Sequence, residues 1–318
     1  MRVFAALMAL TLPSFAWALS PDAGVEDRER CARRIASAFT DLGPSTALLT
    51  ATDPQTMIPG LIAPAVQPND GGVIYTPFEE KFSRYIDQSF NPRPGAVPAE
   101  DAAYYLTRYV LLNNLPWKDL FTGPYRVDPG STSFDEAIVR SDTAGLGYFR
   151  SRTWMVRYAG NEVDGYRLVS AYRMLNNVLG VKLVAAQNTD GINSATRQTN
   201  PACSGCHYEP VFGLDYIAKI LTRRSGIGTA MTFLAPSEGP QVFLGGQTIA
   251  NDLQFVTAMV NATDFKFRAC RIAFEFLYGR PEYKCEGQIF DRCITAFTAS
   301  GRITDAINTV ATDPSFCQ

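Results

Sequence analysis

The chain has 318 residues, which is enough for one or two domains with buried cores. Its 46% hydrophobic and 19% charged residues are typical of a globular protein and exclude a disordered one. The formal net charge of −2, which becomes −3 if Arg2 is lost with a leader, excludes a strongly basic protein built to bind nucleic acid or an anionic membrane.

The first residues have the pattern of a secretory signal peptide. Arg2 precedes an apolar run over residues 3–16, and a small-x-small triplet that ends at Ala18 predicts cleavage there. A single transmembrane anchor is the alternative, but the run is shorter than the roughly 20 residues of a span, and Pro13 interrupts it. We therefore expect residues 1–18 to be a signal peptide and the mature protein to be periplasmic or secreted, without a membrane anchor.

The first half of the mature chain has mostly helical periodicity. Apolar spacing and terminal signals predict helices over residues 25–42, 78–89, 98–114 and 164–179. Residues 44–74 are rich in Pro and Gly and are expected to be irregular. The aromatic and arginine residues over 147–174 are interpreted as core and buried ion pairs.

The motif C-x-x-C-H occurs once, at Cys203, Cys206 and His207, and His207 is the only histidine of the chain. This is the c-type haem attachment sequence. Each thiol can add to one vinyl group of a porphyrin, and the two-residue gap lets both thiols reach the same edge of the ring. The adjacent histidine then supplies the axial nitrogen ligand of the iron. We therefore predict one covalent haem c at this motif.

Three other interpretations of the motif are a thioredoxin-like redox pair, half of a zinc site and a plain disulfide. A redox pair follows a strand and opens a helix, but the polar stretch QNTDGINSATRQTNPA precedes Cys203. Structural zinc needs four ligands, and the chain has neither a second close cysteine pair nor a second histidine. The position of the single histidine favours haem.

The residues after the motif predict a helical domain. A helix is expected from Pro210 to Arg224, followed by a loop with short extended pieces. Further helices are predicted over residues 248–261, 264–279, 287–300 and 302–311. We expect a mainly α protein in which a helical N-terminal domain of unknown role (19–190) precedes a cytochrome c-like helical haem domain (191–318).

Several later motifs resemble the C-terminal half of the planctomycete-type cytochrome c family, which are secreted haem proteins with domains of unknown function. The resemblance runs over residues 203–318 and rests on these residues: the haem motif followed by Pro210, Phe212 and Gly213, then Cys270, Gly279 and Arg280, then Cys293, Ser300 and Gly301. Glu209 departs from the family, which often has Asp before the proline. The resemblance implies a periplasmic haem protein that transfers electrons, and implies no reaction. For an electron carrier we expect a redox partner protein.

The sixth iron ligand distinguishes an electron carrier from a haem enzyme or ligand-binding protein with an open iron position. A second histidine is absent from the sequence, so the candidates are methionines. Met231 lies in the predicted loop that follows the helix after the C-x-x-C-H motif. Met259 lies farther along the chain from His207, which is the more usual spacing for a methionine ligand in small cytochromes c, but it is within a predicted helix. The remaining possibilities are a distant methionine, namely Met57, Met155 or Met174, or no sixth protein ligand.

The sequence favours the electron carrier, because the only histidine is in the motif and none is left to serve as the usual distal histidine of a haem enzyme. We therefore predict a monohaem c-type cytochrome that is not an enzyme, with a peroxidase-like or gas-binding protein as the alternative. Lys219, Arg223 and Arg224, near the end of the predicted haem helix, are candidates to pair with haem propionates, or else form a solvated helix face.

Five cysteines lie outside the haem motif. Cys270 and Cys293 flank the turn of a predicted helical hairpin at similar distances, so antiparallel helices would bring them level and allow a disulfide; a buried free thiol is the alternative. Cys31 with Cys317, joining the two ends, is the weaker second pairing, and Cys285 is then left over.

Overall fold

The structure is a computed structural model that describes residues 24–64, 75–91, 93, 95–132, 135–158, 167–183, 192–209, 213–226 and 231–318. The predicted signal peptide, residues 1–18, lies outside the described residues. Pro210 and Phe212, on which part of the family resemblance rests, also lie outside them.

The described part of the chain is mainly helical, as the sequence predicts. The α-helices ahead of the C-x-x-C-H motif are α1 (Val25–Thr40), α2 (Thr46–Thr50), α3 (Ile58–Leu61), α4 (Pro77–Phe90), α5 (Ala102–Leu112), α6 (Asp119–Thr122), α7 (Arg152–Arg157), α8 (Leu168–Leu179) and α9 (Ser194–Thr199). The motif itself lies on α10 (Pro201–His207), and the later helices are α11 (Leu214–Ile220), α12 (Asp252–Asn261), α13 (Thr263–Tyr278), α14 (Gly287–Ser300) and α15 (Ile303–Ala311).

Short strands and 3₁₀ turns complete the described fold. The strands pair as three antiparallel two-stranded hairpins: β1 (Tyr125–Asp128) with β2 (Ile138–Ser141), β3 (Arg223–Ser225) with β4 (Thr232–Leu234), and β5 (Gln241–Phe243) with β6 (Gln247–Ile249). The 3₁₀ turns are Pro54–Met57, Pro98–Glu100, Lys284–Glu286 and Pro314–Cys317.

The long helices of the described chain lie where the apolar periodicity predicts them. Helix α4 shows why: Thr76 accepts a hydrogen bond from the backbone of Glu79, the Glu79 carboxylate accepts one from the backbone of Thr76, and Pro77 occupies the first turn. This capping box satisfies two backbone donors that a helix start leaves free. Its buried stripe includes Phe78, Phe82 and Ile86, at the 3.6-residue period.

The chain on either side of the C-x-x-C-H motif differs from the prediction. The helix expected to extend to Arg224 ends at Ile220, because Arg223 and Arg224 enter strand β3. The polar stretch ahead of the motif, for which the sequence analysis predicts no helix, contains α9, which starts where the Asn193 side chain accepts a hydrogen bond from the Thr196 backbone at 2.9 Å. Short-range capping therefore outweighs the polar composition of this stretch.

The hydrophobic core draws buried side chains from both sides of residue 190, the predicted domain boundary. Phe82 on α4 meets Phe276 on α13 edge to face, with ring centroids 5.0 Å apart. The backbone N–H of Trp117 donates to the carbonyl of Gly301 at 2.7 Å. The division into two domains stays a prediction, and these contacts join its two proposed parts.

Both predicted disulfides are present. Cys270 on α13 and Cys293 on α14 are bonded, with Cα atoms 5.9 Å apart, and both are fully buried. Cys31 on α1 is bonded to Cys317, with Cα atoms 4.7 Å apart, which fastens the two ends of the described chain together. Such bonds persist in oxidising compartments, so they fit a periplasmic or extracellular setting.

No helix in the described ranges combines the length and the apolar character that crossing a bilayer requires.

Candidate functional site

Two consecutive short helices position the C-x-x-C-H motif. The side chain of Asn200 accepts a hydrogen bond from the backbone of Ala202 at 2.9 Å, and Pro201 occupies the first turn of α10. Pro is well suited to this position, because its fixed φ is close to the helical value and because an N–H in the first turn has no hydrogen-bond acceptor within the helix. The helical spacing places the two cysteines one turn apart on one face, with the histidine beside them.

The two thiols of the motif are free. Cys203 is half-buried and Cys206 is exposed, and neither is bonded to another cysteine. Cys285, the leftover cysteine of the sequence analysis, is also free and exposed. The motif therefore presents two unbonded, reachable sulfur atoms on a single helical turn.

The imidazole of His207 is fixed by a buried carboxylate. Its Nδ1 lies 2.7 Å from Oδ2 of Asp215, in the first turn of α11, and the Asp215 side chain is fully buried. The guanidinium of Arg197 grips the same carboxylate, with Nη2 donating to Oδ1 at 2.8 Å and Nε donating to Oδ2 at 3.0 Å. In the described chain no hydrogen bond reaches Nε2 of His207, so this nitrogen is available to a ligand.

The carboxylate of Asp215 is held in its ionised form. Burial acts to raise its pKa, but hydrogen bonds from His207 and Arg197 together with the Arg197 charge outweigh burial and hold the pKa below its ordinary value. An ionised carboxylate can only accept a hydrogen bond, so Nδ1 of His207 carries the proton. With the Nδ1 proton engaged in this way, Nε2 is the ring nitrogen left to bind a metal.

A glycine shapes the backbone that brings Asp215 to the histidine. Gly213, the residue before α11, has φ of +44°, a conformation that side-chain-bearing residues rarely adopt. A Cβ there would lie 2.9 Å from the Tyr216 ring and 3.2 Å from the Glu209 carbonyl. Tyr216 also packs edge to face against Tyr208, with centroids 5.3 Å apart, so the start of α11 lies against the end of α10.

Hydrogen bonds also attach α10, the helix that carries His207, to α9. The hydroxyl of Tyr208 donates to the Ser194 carbonyl at 2.8 Å, which links the end of α10 to the start of α9. Nη1 of Arg197 donates to the Ile192 carbonyl at 3.0 Å, so the residue that holds Asp215 is itself anchored. These contacts make α9, α10 and the start of α11 one hydrogen-bonded unit.

The candidate sixth ligands lie in different settings. Met231, just before β4, is half-buried against the core, whereas Met259 on α12 is 1% exposed. Met259 lines a cavity of about 590 Å³ between α8, α12 and α13, with Leu175, Leu179 and Val181 among its apolar walls. Met155 and Met174 are buried and Met57 is half-buried. The choice among these methionines stays open.

The basic residues that are candidates to pair with haem propionates have protein partners in the described chain. Lys219 on α11 forms an ion pair with Glu238 at 3.2 Å. Arg223 lies on β3, where its Nε donates to the Ala235 carbonyl at 2.8 Å, and Arg224 follows it on the same strand. The prediction that Lys219, Arg223 and Arg224 lie together on one helix is therefore wrong, because α11 ends before both arginines.

The described residues bear on the alternative interpretations of the motif. The element before α10 is the helix α9 and not a strand, unlike the setting of a thioredoxin-like pair. Cys203 and Cys206 are not bonded to each other, unlike a plain disulfide. Within the described ranges, no three His, Cys, Asp or Glu side chains are gathered for a metal ion, so a zinc half-site finds no further ligands there.

The donor set fits a c-type haem. Two free thiols and an imidazole lie on one short helix, and the bond from Nδ1 to Asp215 leaves Nε2 as the nitrogen that could bind iron. The sequence analysis identified Cys203, Cys206 and His207 but missed Arg197 and Asp215. An acidic residue in the first turn of a helix is ordinary, so Asp215 carried no signal of its own.

Comparisons with protein families, with curated proteins and with solved structures found no match to this chain. The resemblance to the planctomycete-type cytochrome c family therefore stays a prediction from the motifs.

Proposed function

We propose that the protein is an exported monohaem c-type cytochrome that transfers electrons to or from a redox partner protein. The observation that carries the proposal is the placement of two free thiols and a histidine on one helix, with Nδ1 of His207 bonded to Asp215. When bound, the haem supplies one-electron redox chemistry.

The chain's own residues would hold the haem covalently. The thiols of Cys203 and Cys206 would each add across one vinyl group: the S–H bond and the vinyl π bond break, sulfur bonds to one carbon, and the thiol hydrogen goes to the other. No electrons are gained or lost in this addition. His207 would bind iron through Nε2, because Nδ1 is engaged by Asp215.

The size of the protein supports a docking role for the residues ahead of the motif. An electron carrier needs only a small fold around its haem, and buried side chains from α1, α4 and α5 extend the core well beyond α10. The exposed position of Cys206 sets the attachment helix at the surface, where a partner protein can approach.

A second candidate function is supported by the same carboxylate. A histidine that donates its Nδ1 proton to a carboxylate is a more basic ligand, and an electron-rich axial ligand favours O–O cleavage when the sixth position is open. A peroxidase-like or gas-binding protein would therefore use the same three motif residues. It would differ in having no methionine on the iron.

Carbon monoxide added to reduced protein and cyanide added to oxidised protein distinguish the two functions. We expect the wild-type protein to bind neither rapidly, because a methionine sulfur occupies the sixth position. We expect rapid binding in one of the variants Met231→Ala and Met259→Ala, which names the ligand. Rapid binding by the wild type would instead support the ligand-binding function.

A further inference from the structure

The buried carboxylate beside His207 has a chemical consequence beyond holding the ring. Oδ2 of Asp215 lies 2.7 Å from Nδ1, within the range of a strong hydrogen bond to an anion. The Asp215 side chain has no exposed surface, and the Arg197 side chain is 6% exposed. Water therefore screens this interaction little, and its electrostatic influence on the imidazole is strong.

We infer that Asp215 lowers the reduction potential of a haem bound at His207, and that Arg197 is the positioning residue that keeps Asp215 directed at the imidazole. The inference rests on the proposed function. An imidazole that donates to a carboxylate becomes a more basic ligand. A more basic ligand favours oxidised iron, because oxidised iron carries one more positive charge than reduced iron. The guanidinium of Arg197 offsets part of the direct effect of the Asp215 charge, so the bond to the imidazole carries the influence.

Arg197 determines the orientation of this carboxylate. Its two bonds, from Nη2 to Oδ1 and from Nε to Oδ2, fix the plane of the Asp215 carboxylate. Lysine has a single ammonium group and cannot reproduce this two-point grip. The bond from Arg197 Nη1 to the Ile192 carbonyl holds the guanidinium from its other edge.

The chain contains a second buried carboxylate that serves as a matched control. Asp252, 3% exposed, is also held by an arginine: Nη2 of Arg150 donates to Oδ1 at 2.7 Å and Nε donates to Oδ2 at 3.3 Å. It accepts a further hydrogen bond from the Thr222 backbone and none from His207. Replacing Asp252 therefore tests the loss of a buried, arginine-bonded carboxylate that does not contact the histidine.

The test is a spectroelectrochemical titration of the holoprotein in the wild type and in Asp215→Asn and Asp252→Asn variants. Asparagine keeps the shape of the side chain and a hydrogen-bond acceptor but removes the charge. We expect Asp215→Asn to shift the equilibrium at least tenfold towards reduced iron, which is about 59 mV for one electron. We expect Asp252→Asn to shift it less than threefold. Equal shifts in the two variants, or no rise for Asp215→Asn, would overturn the inference.

The Arg197→Lys variant and the haem-free protein give further readings. We expect Arg197→Lys to move the potential in the same direction as Asp215→Asn but less, because its carboxylate is less well directed. Nitrogen NMR of the haem-free wild-type protein should show the proton of His207 on Nδ1. This measurement does not use the Asp215 variant, so it tests the inference even if that variant does not fold. A proton on Nε2 would overturn the inference.

Failure of the inference and failure of the proposed function give different results. Covalent haem in all variants with equal potentials would overturn the role of Asp215 alone. A wild-type protein that carries no covalent haem under conditions that mature other c-type cytochromes would overturn the proposed function and this inference with it.

Discussion

Asp87 is a carboxylate in surroundings that suit a charge poorly. It lies on α4 with 8% of its surface exposed, and its Oδ1 has no hydrogen-bond partner within the described chain. Burial, reinforced by the nearby charge of Asp101, raises its pKa to about 7, although a backbone bond from Tyr104 and the charge of Arg157 act against this. The folded protein therefore binds a proton at Asp87 more tightly than the unfolded chain does.

The higher pKa of Asp87 in the folded protein determines the direction in which stability changes with pH. Between the ordinary pKa of 3.8 and about 7, the folded state holds more protons at Asp87 than the unfolded state, so stability falls as pH rises through that window. We predict that Asp87→Asn raises the free energy of unfolding at pH 8 by about 2 to 4 kcal/mol and has much less effect at pH 4. Urea unfolding at both pH values measures this. A stabilisation no larger at pH 8 than at pH 4 would contradict it.

Sequence reasoning succeeds for single residues when the chemistry depends on close spacing. Cys203, Cys206 and His207 are adjacent in sequence, so their motif could be recognised without a structure. Arg197 and Asp215 lie on different helices from the motif, and only the turn at Gly213 brings the carboxylate to the imidazole. A contact that depends on such a turn produces no short sequence motif from which it could be predicted.

The helical hairpin of α13 and α14 depends on its disulfide. Cys270 and Cys293 are fully buried, and their bond closes a loop of 23 residues. Closing a loop of this length in the unfolded chain stabilises the folded state by about 3 kcal/mol. On α13, Phe274 and Leu277 are buried on the same stripe as Cys270, which directs the cysteine inward.

We predict that replacing Cys270 and Cys293 together by alanine lowers the free energy of unfolding by about 3 kcal/mol. The matched control is Cys285→Ser, at an exposed free thiol, which should change it by less than about 0.5 kcal/mol. Denaturant unfolding under non-reducing conditions gives both values. A double variant as stable as the Cys285 variant would show that the disulfide has no net effect.

The strands could be predicted less well than the helices. The β1–β2 hairpin was missed, because its strands are only four residues long. The apolar and polar residues of β1 alternate too briefly to stand out, and β2 is largely exposed and does not alternate. Residues 225–246 were expected to be a loop with short extended pieces between two helices, whereas the structure forms two hairpins from strands β3 to β6 and so takes residues from the ends of both predicted helices. Pairing partners are set by tertiary contacts that a short strand does not encode.

The chain is held together across its full described length. The bond between Cys31 and Cys317, and the packing of Phe276 on α13 against Phe78 and Phe82 on α4, join the start of the chain to its end. The side chain of Gln55 also donates to the Ala311 and Asp313 carbonyls, at 2.7 and 2.8 Å. Apolar periodicity predicts each helix but not which distant helix it meets.

These contacts predict that residues 191–318 do not fold alone. Removing the first part exposes Phe276 and leaves Cys317 without its partner. We expect the isolated fragment to bind a hydrophobic dye and to unfold without a cooperative transition, whereas the full mature chain unfolds cooperatively. Circular dichroism during urea titration measures the difference. A cooperative transition in the fragment would instead establish it as an independent domain.

The intact mass of the denatured protein tests the proposed haem attachment most directly. The protein would be produced with its leader in a host that exports it and matures c-type cytochromes. We predict the mass of the chain from residue 19 plus one haem, retained in Cys285→Ser and lost in the double variant Cys203→Ser and Cys206→Ser. A wild-type mass without haem, with Cys203 and Cys206 as free thiols or as a disulfide, would contradict the proposal.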